Sequence, residues 1–148
     1  RLIDNLGIVE TASSSQQDPV GLVALQTVGG QLVVSGDQAG QLARLRFPAL
    51  QSVGASFEVV SNPALQILEV PRLTAVGTRF MVTDNPALLT IFHAAAIAQP
   101  APSTFEVSYN SGLLCVIAET LCCAADAAST LICSPNASTC TEPSCPSR

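Results

Sequence analysis

Pro48-Ala49-Leu50-Gln51-Ser52-Val53-Gly54 and Pro71-Arg72-Leu73-Thr74-Ala75-Val76-Gly77 are two copies of one pattern, Pro-x-Leu-x-x-Val-Gly, spaced 23 residues apart. The correspondence runs on downstream. Phe57 maps to Phe80, Val59 to Val82, Asn62-Pro63-Ala64-Leu65 to Asn85-Pro86-Ala87-Leu88, and Leu68 to Ile91. An earlier copy holds Leu25-Gln26-Thr27-Val28-Gly29, Leu32, Val34, Leu42 and Leu45. A later copy keeps Phe105, Val107, Asn110, Leu113 and Val116, and Asn5, Leu6 and Val9 read as the end of a further coil. Self-similarity at a fixed period of this length is the signature of a solenoid.

Within a copy the apolar residues alternate. Leu32/Val34, Phe57/Val59, Phe80/Val82 and Phe105/Val107 therefore face inward on short strands, and their neighbours face outward. Gly54 and Gly77 precede these strands, where a positive φ would turn a corner, and Pro48, Pro63, Pro71 and Pro86 oppose helix at the other corners. Each coil reads as strand, turn, strand, turn. Asn62, Asn85 and Asn110 fall at equivalent turns and read as a structural ladder, their amides bonded to corner backbone. One coil cannot repay the entropy of ordering its chain, so neighbouring coils must share a core.

The whole chain has 148 residues, 48% of them hydrophobic and 11% charged, and a formal charge of −5. This composition argues against disorder, which goes with low hydrophobicity and high net charge. All six basic residues are arginine, and no basic run occurs, which argues against nucleic acid and anionic membranes as partners. No apolar stretch is long enough for a membrane-spanning helix. With one Tyr, five Phe and no Trp, the interior must be thin and aliphatic. The opening residues lack a signal peptide and start inside a coil, so the chain reads as a trimmed or partial product.

All six cysteines, Cys115, Cys122, Cys123, Cys133, Cys140 and Cys145, crowd the last third of the chain. An even number without Cys-x-x-Cys knuckles reads as disulfides rather than a zinc site, and so as an extracellular or cell-surface protein. Connectivity stays open. Ala-rich residues 116–128 suit a short helix capping the last coil. Two segments follow: a repeat solenoid over 1–116 and a cysteine-rich cap and tail over 117–148. Asn136-Ala137-Ser138 reads either as a glycosylation sequon, if the host is eukaryotic, or as a chance tripeptide in a small-residue tail.

The string Phe-Pro-Ala-Leu-Gln-Ser-Val-Gly, Phe-x-Val, Ser-Asn-Pro-Ala-Leu resembles the repeats of receptor L domains, most nearly those of fungal cell-wall surface proteins. Bacterial and protist surface proteins carry related repeats. The resemblance covers about residues 22–116 and implies a right-handed, leucine-rich-repeat-like β-helix with coils of about 23 residues. It implies surface recognition, and it transfers no ligand residue because the fold hosts many roles.

No catalytic, cofactor or metal-binding motif stands out. His93 has no nucleophile or acid in a motif around it. Glu58 and Glu106 occupy equivalent strand positions on either side of the Met81 coil, a spacing of about 9–10 Å that also fits an inverting glycosidase pair. The leading expectation is a non-enzymatic recognition or adhesion module for a protein or glycan partner. Its binding surface would be the outward array Val33, Ser35, Glu58, Val60, Met81, Thr83, Glu106 and Ser108. The rival is a structural subunit that stacks through its uncapped N-terminal edge into a filament or surface layer.

Overall fold

The computed structural model describes residues 2–3, 6–9, 22–36, 42–93, 102–124 and 130–133. In chain order its strands are β1 (Leu2–Ile3), β2 (Leu6–Val9), β3 (Thr27–Val28), β4 (Leu32–Ser35), β5 (Arg44–Arg46), β6 (Ser52–Val53) and β7 (Ser56–Val60). They continue as β8 (Ile67–Val70), β9 (Ala75–Val76), β10 (Arg79–Thr83), β11 (Thr90–His93), β12 (Thr104–Ser108) and β13 (Thr130–Ile132), with one helix, α1 (Cys115–Ala124), before β13. Every pairing among the described strands is parallel. The chain winds a β-solenoid of about three turns with little helix.

Each complete turn contributes three strands, not two. They form a four-stranded sheet ordered β1-β3-β6-β9, a six-stranded sheet ordered β13-β12-β10-β7-β4-β2, and a three-stranded sheet ordered β11-β8-β5. The extra strand is the Ser52-Val53 segment of the repeated Leu-x-x-Val-Gly, too short to announce itself by alternation. The six-stranded sheet also passes the expected boundary at residue 116, because β13 pairs with β12 at Phe105↔Leu131.

The core is a prism of side chains stacked by register. Phe57 pairs with Phe80 and Phe80 with Phe105. Their rings stack at 5.2 and 4.7 Å, and Phe47 meets Phe57 edge-on at 6.2 Å. Aliphatic columns Leu25/Leu50/Leu73, Val28/Val53/Val76 and Leu45/Leu68/Ile91 fill the rest, all buried. Parallel, in-register strands place like residues above like, so one repeated pattern builds one continuous interior. Ala118 and Leu121 of α1 join this core, with Ile117 and Cys133 packed against it.

Gly54 and Gly77 are not where positive φ occurs. Among the described residues the left-handed backbone belongs to Gly36, Ser61, Asp84 and Tyr109. Gly54 and Gly77 are glycine for want of space: a Cβ on Gly54 would collide with the Gly29 carbonyl, and one on Gly77 with the Gly54 carbonyl. Backbone stacks directly on backbone at this corner. Gly54 N–H donates to Val28 O at 2.8 Å and Gly77 N–H to Val53 O at 2.9 Å, so the coils cannot spread to admit a side chain.

At the opposite corner Asn62, Asn85 and Asn110 are fully buried and stacked. Asn62 donates through its backbone N–H and its Nδ2 to Asn85 Oδ1, both at 3.1 Å. Asn85 repeats this toward Asn110 Oδ1, again at 3.1 Å twice. The second Nδ2 hydrogens reach corner carbonyls, among them Thr83 O and Val59 O from Asn85 and Val82 O from Asn110. The steps along this ladder are 23 and 25 residues. Asn62 Oδ1 ends the ladder as the buried side-chain polar atom without a partner among the described residues.

The two ladders fail differently when broken. Asn85→Ala strands two neighbours' groups as well as deleting its own bonds, and should cost about 3–5 kcal/mol. Asn62→Ala should cost measurably less, since its Oδ1 serves no partner. Gly54→Ala should cost about 1–3 kcal/mol through overpacking. Urea unfolding of the three variants checks both the magnitudes and their order.

Candidate functional site

The outward face of the six-stranded sheet carries the side chains singled out from the sequence. Val33 aligns with Glu58, Met81 and Glu106, and Ser35 with Val60, Thr83 and Ser108. Val33, Ser35, Glu58, Val60, Met81 and Glu106 are half-buried. Thr83 and Ser108 are buried, contrary to the expectation of an open row. Their hydroxyls turn toward each other at 3.1 Å, Ser108 donates to Glu106 Oε1 at 2.7 Å, and Thr83 lies 3.5 Å from Asp84 Oδ2. These groups spend their hydrogen-bonding capacity within the sheet, which leaves little for a ligand.

Glu58 and Glu106 flank Met81 as the spacing implied. Their surroundings differ, with Glu58 4.0 Å from the Arg79 guanidinium and Glu106 holding the Ser108 hydroxyl. His93 ends β11, half-buried and aligned with Val70. No group of three or more His, Cys, Asp or Glu side chains among the described residues is placed to hold a metal ion. On the three-stranded sheet Glu69 is clasped by two arginines, at 2.7 Å from Arg46 Nε and 3.7 Å from Arg44 Nε. Asn136, Cys140 and Cys145 lie outside the described residues, and so does the side chain of Cys122 on α1.

A concave surface feature lies one corner away from the outward face. Ser61, Pro63, Asp84, Pro86 and Tyr109 line an open groove of about 360 Å³. Its first wall follows from register. Because Val60, Thr83 and Ser108 are paired, the next residues, Ser61, Asp84 and Tyr109, form a row along the solenoid axis, spaced at about the 4.8 Å strand separation. Its second wall follows from sequence, since Pro63 and Pro86 directly succeed the ladder residues Asn62 and Asn85.

The first row has φ of 58°, 56° and 54° at Ser61, Asp84 and Tyr109. This left-handed turn is what swings the following Asn inward under its neighbours' carbonyls. Glycine takes it without steric cost, as Gly36 does at the register position before Ser61. A side chain there costs about 1 kcal/mol or more, least for Asp. Three successive coils carry side chains at a place where none is needed for the turn. Alternation did not reveal them, because they sit past the strand ends; the register with Gly36 is the signal that does.

If the Ser61 side chain serves the surface and not the fold, Ser61→Gly should raise stability by up to about 1 kcal/mol. A shift in the thermal midpoint checks this, and a loss would assign Ser61 a structural role. Comparison with known proteins returned no match, whether to a family model, a curated protein or a solved structure.

Proposed function

We propose that the chain is a non-enzymatic recognition or adhesion module of the receptor L-domain-like kind, acting outside the cell or at its surface on a protein or glycan partner. The observation that carries this reading is the row Ser61, Asp84 and Tyr109, held in the left-handed region on a rigid corner and opening on a groove. Strain at exposed positions that the turn does not require points to use of the side chains. Residues on a scaffold this regular reach a partner without reordering, which lowers the entropic cost of association.

The compartment rests on the cysteines. Six cysteines, even in number and crowded into the last third of the chain, read as disulfides, and such bridges persist where thiols are not kept reduced. Together with α1 and β13 they form the cap that closes the C-terminal end of the coils, each coil being about 23 residues and wound right-handed. A second reading, end-to-end stacking of subunits into a filament or surface layer, draws on the N-terminal sheet edge. At the N-terminal end, β2 pairs with β4 alone among the described strands, and a sheet edge of that kind is a template for pairing with another chain. A hydrolase using Glu58 and Glu106 has less in its favour, since Glu58 lies 4.0 Å from the Arg79 guanidinium and Glu106 accepts the Ser108 hydroxyl.

The purified chain should be retained by intact cells or by a glycan array. Ser61→Arg with Tyr109→Ala, which fills one end of the groove and empties the other, should weaken retention by about ten-fold or more. Absence of retention by the unaltered chain sinks the reading. Sedimentation velocity separates the rival, because a filament former grows with concentration and a recognition module does not.

A further inference from the structure

The chemistry of the groove narrows what it takes. Glu58 and Glu69 each have an arginine partner, and Glu106 is occupied by the Ser108 hydroxyl. Asp84 differs. It is exposed, and among the described residues its carboxylate forms no ion pair and accepts only the 3.5 Å contact from the Thr83 hydroxyl. One coil on, Tyr109 is 57% exposed and follows Ser108, the residue paired with Thr83. A carboxylate and an aromatic ring thus stand side by side, with Pro63 and Pro86 as a stiff apolar wall.

We infer that this groove receives a cationic side chain, an arginine or lysine of a protein partner, with its charged head between Asp84 and Tyr109 and its methylene stem along Pro63 and Pro86. The inference rests on the recognition reading above and gives it a partner chemistry. A guanidinium or ammonium group gains from both neighbours at once, an ionic hydrogen bond from the carboxylate and attraction to the ring face. Its alkyl stem lies favourably on apolar surface. The net charge of −5, with no lysine in the chain, favours the approach of a basic partner. An apolar small molecule fits less well, because an open groove leaves most of its surface in water. A neutral sugar needs several convergent donors and acceptors, and this groove offers one carboxylate and two hydroxyls.

Tyr109 makes the test direct. It is the sole tyrosine, and the chain has no tryptophan, so intrinsic fluorescence reports on this groove. The blocked peptide Gly-Arg-Gly should change that fluorescence saturably, and added salt should weaken the effect. The citrulline peptide Gly-Cit-Gly, similar in shape and uncharged, should not bind. Asp84→Asn should weaken arginine-peptide binding by about ten-fold. Asp84→Gly should abolish it while the thermal midpoint stays level or rises, a pairing that a merely structural aspartate does not produce.

Equal binding of the citrulline peptide, or of the arginine peptide to Asp84→Asn, overturns the inference, as does saturation by chitohexaose alone. The two readings fail separately. Retention on cells that depends on Ser61 and Tyr109, with no arginine-peptide binding, removes the groove chemistry and keeps the module. Arginine-peptide binding that requires Asp84, with no retention on any cell or glycan surface, keeps the groove chemistry and removes the surface-adhesion reading.

Discussion

The structure depends on a hydrogen-bonding demand that no single coil can meet. A buried asparagine amide carries two donors and an acceptor, and leaving them unpaired costs more than the bonds themselves return. Asn85 satisfies its demand only because Asn110 lies beneath it and Asn62 above it, while its Nδ2 reaches carbonyls of two successive coils. The ladder therefore specifies alignment as well as contact. A coil slipped by one residue would put Pro or a left-handed corner residue where the amide must be, and would turn the strand's apolar set outward. Once the asparagines are in line, Phe57, Phe80 and Phe105 have no choice but to stack.

The glycine corner imposes the complementary limit. At Gly29, Gly54 and Gly77 neighbouring coils approach until backbone touches backbone, so the spacing there has a hard floor. The asparagine corner supplies attraction between coils and the glycine corner sets how closely they can lie. Between these two lines the aliphatic positions tolerate variation. Leu45 and Leu68 align with Ile91 in one column, and all three are buried. Such exchanges of similar volume are the kind that cores absorb.

Much of the architecture is legible in the sequence, and what is illegible has physical causes. Two-residue alternation at Phe57/Val59 and Phe80/Val82 marks the six-stranded sheet, and the recurring Leu-x-x-Val-Gly marks a solenoid. The two-residue strands β6 and β9 are hidden because two residues show no period. Gly54 and Gly77 mislead because glycine answers two needs, freedom of φ and absence of a Cβ. Only the approach of the preceding coil tells which need operates. Of the candidate surface, alternation finds the direction of Glu58, Met81 and Glu106. It does not find that Ser108 and Thr83 are occupied by each other, since a hydroxyl's partner is set by the neighbouring strand.

The same ladder explains why the groove, more than the sheet face, is suited to recognition. On the sheet, side chains at strand spacing are close enough to satisfy one another, as Ser108 does for Glu106 and Arg79 for Glu58, and a partner must compete with those bonds. At the corner the left-handed turn throws Asp84 and Tyr109 away from the sheet, where Asp84 finds only a long contact within the described fold. That turn is costly for a side chain and is retained because the asparagine behind it is held by its neighbours above and below. The fold can therefore bear strain at Ser61, Asp84 and Tyr109 without losing register, and those three positions can differ in chemistry while the turn stays the same. A ladder that fixes the backbone so firmly leaves the residue before each asparagine free to be chosen for what it meets outside.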